Sequence, residues 1–138
     1  MAALVLAPAA IAIAWTGGPL WIALVTLAAI GMYVEWLTIV GAAQEKQTVA
    51  AGIAALVVSG LCLAFGYGAL SLAALLTGAV AVAAVSRRLR FWSVAGFCYA
   101  AAAAFASAQV RLDGDYGFVA LMFVLIVVWA ADIGGYFA

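Results

Sequence analysis

Residues 124–138 read Val124-Leu125-Ile126-Val127-Val128-Trp129-Ala130-Ala131-Asp132-Ile133-Gly134-Gly135-Tyr136-Phe137-Ala138. A carboxylate directly behind a long apolar run is costly if it faces lipid, so Asp132 is expected to face protein, a water-filled cavity or the headgroup zone. Trp129 and Tyr136 flank it as amphipathic aromatics of the kind that settle at a membrane interface. Gly134 and Gly135 let the backbone approach a phosphate or another helix closely, and can end or kink the helix there. Asp132 therefore reads either as a functional acid or as a solvated helix-end residue followed by a simple stop.

Outward from this stretch, composition decides the solvent. Of 138 residues, 72% are hydrophobic and 7% charged, against about 45–50% apolar and about 25% charged in soluble domains. The chain is an integral membrane protein. With spans of about 20 residues and short connections there is room for about six helices, so an all-α, polytopic transmembrane bundle is expected. Turn and loop residues place the helices at about 2–15, 20–40, 48–65, 69–85, 91–110 and 117–133. Thr16-Gly17-Gly18-Pro19 and Gly66-Tyr67-Gly68 are the sharpest breaks. The opening segment lacks the positive residues of a signal peptide and reads as a short first membrane helix.

Five basic residues balance five acidic ones, which leaves no basic surface for nucleic acid. Histidine is absent, removing the commonest general base and metal ligand. Metal chemistry here would use carboxylate oxygens, which suit magnesium. Cys62 and Cys98 lie within apolar runs and behave as small hydrophobes.

The few charges carry the remaining information. Glu35 falls about one and a half turns before the end of the second helix, just inside the hydrocarbon, and needs a partner or water. It reads as an interhelical hydrogen-bonding residue that holds register, or as a catalytic acid. Ser86-Arg87-Arg88-Leu89-Arg90 is the one basic cluster. It reads as a topology signal or as a contact for nucleotide phosphates and anionic headgroups through Arg87 and Arg88. As a topology signal it puts the amino terminus and the loops after helices two and four in the cytoplasm, leaving Arg111 outside. Asp132 and Glu35 then share the cytoplasmic side. Asp113-Gly114-Asp115 lacks the twelve-residue calcium pattern and reads as a turn. Small residues at four-residue spacing, Gly96, Ala100, Ala104 and Ala108 on helix five and Ala69, Ala73, Thr77 and Ala81 on helix four, allow close packing within the bundle or in a homodimer.

The run from Val128 to Ala138 resembles a segment of the phosphatidate cytidylyltransferases (CDP-diacylglycerol synthases), which reads Val-Trp, two small residues, Asp-Ile-Gly-Ala-Tyr, then Gly-Arg. Gly135 stands where that family has Ala, and the sequence stops before Gly-Arg and before the family's Ser-Pro-Lys-Thr-Glu-Gly stretch and later metal-binding acids. Glu35-Trp36 is similar to a Glu-Trp at the end of the family's second helix. The resemblance implies the amino-terminal half of a bacterial inner-membrane enzyme that uses CTP and phosphatidate, with the remaining catalytic residues elsewhere and this portion inactive alone. It implies Asp132 as catalytic and metal-holding residue for Mg2+ or another divalent cation, and Gly134, Gly135 and Tyr136 as substrate contacts. Two readings from other classes stand beside it: an ion- or proton-coupled transporter subunit with Glu35 and Asp132 along its path, and a non-catalytic membrane scaffold.

Overall fold

Glycine, proline and short polar stretches divide the chain into six helices: α1 (Ala2–Thr16), α2 (Gly18–Ile39), α3 (Lys46–Ala64), α4 (Gly68–Val85), α5 (Arg90–Leu112) and α6 (Gly117–Phe137). The computed structural model describes the backbone of residues 2–137 and the side chains of residues 8–135. Among the described residues there is no strand, as lipid requires of a chain that is not a closed barrel. Five helices, α2 to α6, are long and apolar enough to cross a membrane. The 15 residues of α1 extend about 22 Å, short of the roughly 30 Å hydrocarbon core. The reversal between α1 and α2 uses Gly17 at φ 65°, and that between α3 and α4 uses Gly66 at φ 82°, a left-handed conformation that favours glycine.

Consecutive helices run antiparallel, and α2 packs on both α3 and α5 while α4 packs on α3 and α5. The main core gathers Tyr33 and Leu37 of α2, Leu56 of α3, Leu75 and Val82 of α4, and Phe97 and Ala100 of α5. Glycines set the spacing. A side chain on Gly52 would collide with the Tyr33 ring, one on Gly96 with the Trp36 indole, and one on Gly78 with Ala55 and Phe97. The helices thus meet by apposing a small residue to a large one, the arrangement that gains van der Waals contact where lipid supplies no hydrophobic drive.

The small-residue row on α5 lies in this interface, with Gly96, Ala100 and Ala108 buried. The row on α4 does not: Ala69, Ala73, Thr77 and Ala81 are all exposed. That helix buries Ser71, Leu75, Gly78 and Val82 instead. Ser71 selects the face, because its Oγ lies 2.7 Å from Ser59 Oγ on α3, and a hydroxyl turned to lipid would lose that partner.

The first half of α6 is held by the bundle. Leu121 is buried with Ala14 and Trp21, and Phe118, Met122 and Leu125 pack around them. Residues 126–135 are exposed throughout. The helix also runs on through Gly134 and Gly135 to Phe137, which corrects the expected end near 133. In an apolar setting an unpaired backbone amide costs more than the conformational freedom a glycine loses in a helix.

Candidate functional site

The alternation of the helices brings the ends of α2, α4 and α6 and the starts of α3 and α5 to one end of the bundle. Tyr33 Oη donates to the Thr48 carbonyl at 2.9 Å, and Trp36 Nε1 donates to the Trp92 carbonyl at 2.9 Å. At the opposite end, Arg111 donates to the Ala14 and Trp15 carbonyls, capping the last turn of α1 where its macrodipole is negative. Lys46, Arg87, Arg88 and Arg90 therefore share one end with Glu35, Glu45 and Asp132, and Arg111 lies at the other with Asp113 and Asp115. The acidic pair there forms the expected turn. Asp113 Oδ1 accepts the amides of Asp115 and Tyr116 at 3.2 and 2.9 Å.

Glu45, which the sequence presents only as part of a polar loop, is the best-connected acid. It precedes α3, and its Oε2 and Oε1 accept the backbone amides of Arg87 and Arg88 at 3.0 and 3.1 Å. Thr48 Oγ1 donates to the same carboxylate at 3.1 Å. Thr48 has one hydroxyl proton, so the 3.2 Å contact between Thr48 and Ser86 is a bond donated by Ser86. These bonds hold the Glu45 carboxyl below its ordinary range: the Arg87 amide contributes most, then the Arg88 amide, against a smaller opposing effect of partial burial. Tyr33, Thr48 and Ser86 are fully buried, so one polar network ties α2, α3 and α4 to the basic loop. The signal available in sequence was an acid immediately before an apolar helix, where a carboxylate is favoured by the helix dipole.

Glu45 thus hydrogen-bonds to the main chain of the basic loop, and the Arg87 charge adds only the smallest pull on its carboxyl. Among the described residues, Arg87, Arg88 and Lys46 form no ion pair, and Arg90 turns its Nε back to the Ser86 carbonyl at 3.4 Å. A cleft of 390 Å³ opens beside them, lined by Gln44, Glu45, Lys46, Gln47, Val85 and Arg87.

The remaining candidates stand apart from this network. Glu35 is exposed and, among the described residues, makes no side-chain hydrogen bond to another helix. Tyr33 and Trp36, on either side of it, do so, since their positions face α3 and α5 while Glu35 turns outward. Asp132 is exposed on the bare half of α6. Its position continues the stripe 118, 121, 122, 125 that packs on the bundle, at helical spacing. A Cβ on Gly134 or Gly135 would meet nothing within 4 Å, unlike one on Gly52, Gly78 or Gly96. Packing within this chain therefore gives no reason for the glycine pair. The side chain of Tyr136 lies outside the described residues.

Among the described residues no three His, Cys, Asp or Glu side chains come together to hold a metal ion. Asp132 offers one accessible carboxylate. Magnesium is commonly held by one or two carboxylates with water and substrate phosphates completing the shell, so Asp132 suits one ligand position and not a whole site.

Membrane-length helices in up-and-down order, with the cations and the motif carboxylate at a common end, define a multi-pass integral membrane protein. The chain belongs to the cytidylyltransferase family, whose model matches residues 1–138. It is similar to phosphatidate cytidylyltransferases of Brucella suis biovar 1 (strain 1330) and Brucella melitensis biotype 1, with 30% identity over 137 residues. The corresponding protein of Brucella abortus biovar 1 (strain 9-941) is also 30% identical over 137 residues. The matches cover 98% of this chain and 51% of the relatives, so the chain spans about half the length of the curated relatives it matches. No solved structure matches it. The family expected from Trp129 to Tyr136 is borne out.

Proposed function

We propose that the full-length protein is a phosphatidate cytidylyltransferase of a bacterial inner membrane. The carrying observation is the likeness to three proteins of that name across 98% of the chain. In this reading a phosphate oxygen of phosphatidate attacks the α-phosphorus of CTP. The new P–O bond forms as the α–β anhydride breaks, giving CDP-diacylglycerol and diphosphate. Such transfer asks a protein mainly to position its substrates and to offset their charge.

Asp132 would hold a divalent cation, which when bound supplies charge for the transferring phosphate. On the protein's side, Asp132 orients the assembly from the bare half of α6. Gly134 and Gly135, which meet no neighbour, leave room for a phosphate to approach the helix backbone, with Tyr136 one residue further. Arg87 and Arg88, in the loop between α4 and α5 at the same end of the bundle, would contact phosphate. The positive-inside rule puts the end carrying Lys46, Arg87, Arg88 and Arg90 in the cytoplasm, where CTP is available.

The test is Asp132→Asn in the full-length protein, which keeps size and removes charge. Product formation from CTP and phosphatidate should fall at least about a hundredfold, as for loss of a group acting in the transition state. Folding in membranes should be unchanged. Full activity in that variant would remove Asp132 from the site.

A further inference from the structure

We infer that the cleft between the α2–α3 and α4–α5 turns is a phosphate-binding site, with Lys46 and Arg87 as its cations and Glu45 as the residue that positions the basic loop around it. Three observations converge. First, Gln44 and Gln47 line the cleft beside Lys46 and Arg87. Side-chain amides with cations make the donor set a phosphate needs. Secondly, Glu45 accepts only backbone amides from the basic loop, so among the described residues the Arg87 and Arg88 guanidiniums stay available to a ligand, while Arg90 is turned back to Ser86. Of the cations at this end, Lys46 and Arg87 line the cleft together with this carboxylate, whose own charge is already met by two amides and a hydroxyl. Thirdly, the cleft sits where α3 and α4 leave the hydrocarbon, the depth at which lipid phosphates lie, and beside the start of α3, where the helix dipole favours an anion.

Phosphate can arrive on a lipid headgroup or on a soluble nucleotide. Both present the same chemistry. The inference rests on the cytidylyltransferase reading only for the choice of these two probes, since the geometry itself needs no turnover.

The role given to Glu45 has a sign that bulk electrostatics reverses. Glu45→Gln makes the loop more positive, so attraction alone would tighten phosphate binding. If Glu45 shapes the loop, the same change weakens binding about tenfold, as for loss of about one charge-assisted hydrogen bond's worth of organisation. Lys46→Gln and Arg87→Gln should each weaken it by a similar factor. Lys46 makes no side-chain hydrogen bond among the described residues, so its variant tests the site even if Glu45→Gln misfolds.

The experiment uses purified full-length protein without turnover, in two arms. Retention of phosphatidate against phosphatidylcholine is read by native mass spectrometry, and binding of CTP or inorganic diphosphate by calorimetry. Loss in the variants confined to the phosphatidate arm assigns the cleft to a lipid headgroup, and loss confined to the soluble arm assigns it to a nucleotide phosphate. Either supports the site. Unchanged binding in both arms for Lys46→Gln and Arg87→Gln overturns it, and tighter binding in Glu45→Gln overturns the positioning role. Binding that follows this pattern in a protein with no cytidylyl transfer would refute the proposed reaction and leave the cleft standing.

Discussion

A carboxylate that accepts two amides and a hydroxyl stays ionised further into acid than a free one. Glu45 is in that position, with its carboxyl held below the ordinary 4.5, chiefly by the Arg87 amide and then the Arg88 amide. The linkage sign follows: the clamp contributes fully above the ordinary carboxyl pKa and is lost as pH falls through the lowered one. Hydrogen exchange of the Arg87 and Arg88 amides should therefore stay slow from neutral pH down past 4.5 and lose protection only at lower pH. In Glu45→Gln, which cannot titrate, the protection should show no such step. At the other end of the bundle, Arg111→Gln removes the donors to Ala14 and Trp15 and exposes two helix-end carbonyls. Proteolysis of α1 in detergent should accelerate about five- to thirtyfold, for about 1–2 kcal/mol of lost docking. Tyr33→Phe removes one interhelical bond and should cost about 0.6–1.7 kcal/mol in reversible unfolding from mixed micelles.

At the scale of elements, glycines divide into two kinds. Gly52 is filled by the Tyr33 ring, whereas Gly134 and Gly135 face open space. Gly52→Leu should therefore destabilise the bundle by about 1–3 kcal/mol, the usual penalty of overpacking. Gly134→Leu should leave unfolding unchanged, yet abolish product formation in the full-length protein if a phosphate approaches α6 there. Equal loss of stability in both variants would show that the second glycine is a packing residue. The α4 row of Ala69, Ala73, Thr77 and Ala81 is a useful contrast, because its spacing is as regular as that on α5. Spacing identified a face narrow enough to pack and said nothing of which neighbour would occupy it.

For the whole molecule, the separation of charges is the testable feature. Four cations at one end and Arg111 at the other predict the basic end in the cytoplasm. With Cys62 and Cys98 replaced, a cysteine at Gln44 should be labelled only after the inner face is opened. One at Asp115 should react with an impermeant reagent in intact cells. The reverse pattern would place Asp132 away from cytoplasmic CTP and sink the proposed assignment of substrates to that end.

Taken by itself, the sequence determined that the chain lives in a membrane, that it is helical, and which charges share an end. Apolar content, turn residues and strict up-and-down alternation leave no other arrangement of its backbone polar groups in lipid. The run from Trp129 to Tyr136 carried the family. Contacts between distant segments were decided only by tertiary structure: that Glu45 binds the loop at Arg87 and Arg88, that Tyr33 and Trp36 hold α2 while Glu35 turns outward, and that α6 is packed to Leu125 and bare beyond it. The reason is geometric. Hydropathy is a property of each residue and its near neighbours along one helix, whereas a hydrogen bond between positions 45 and 87 depends on how two helix pairs rotate and slide until small residues meet large ones.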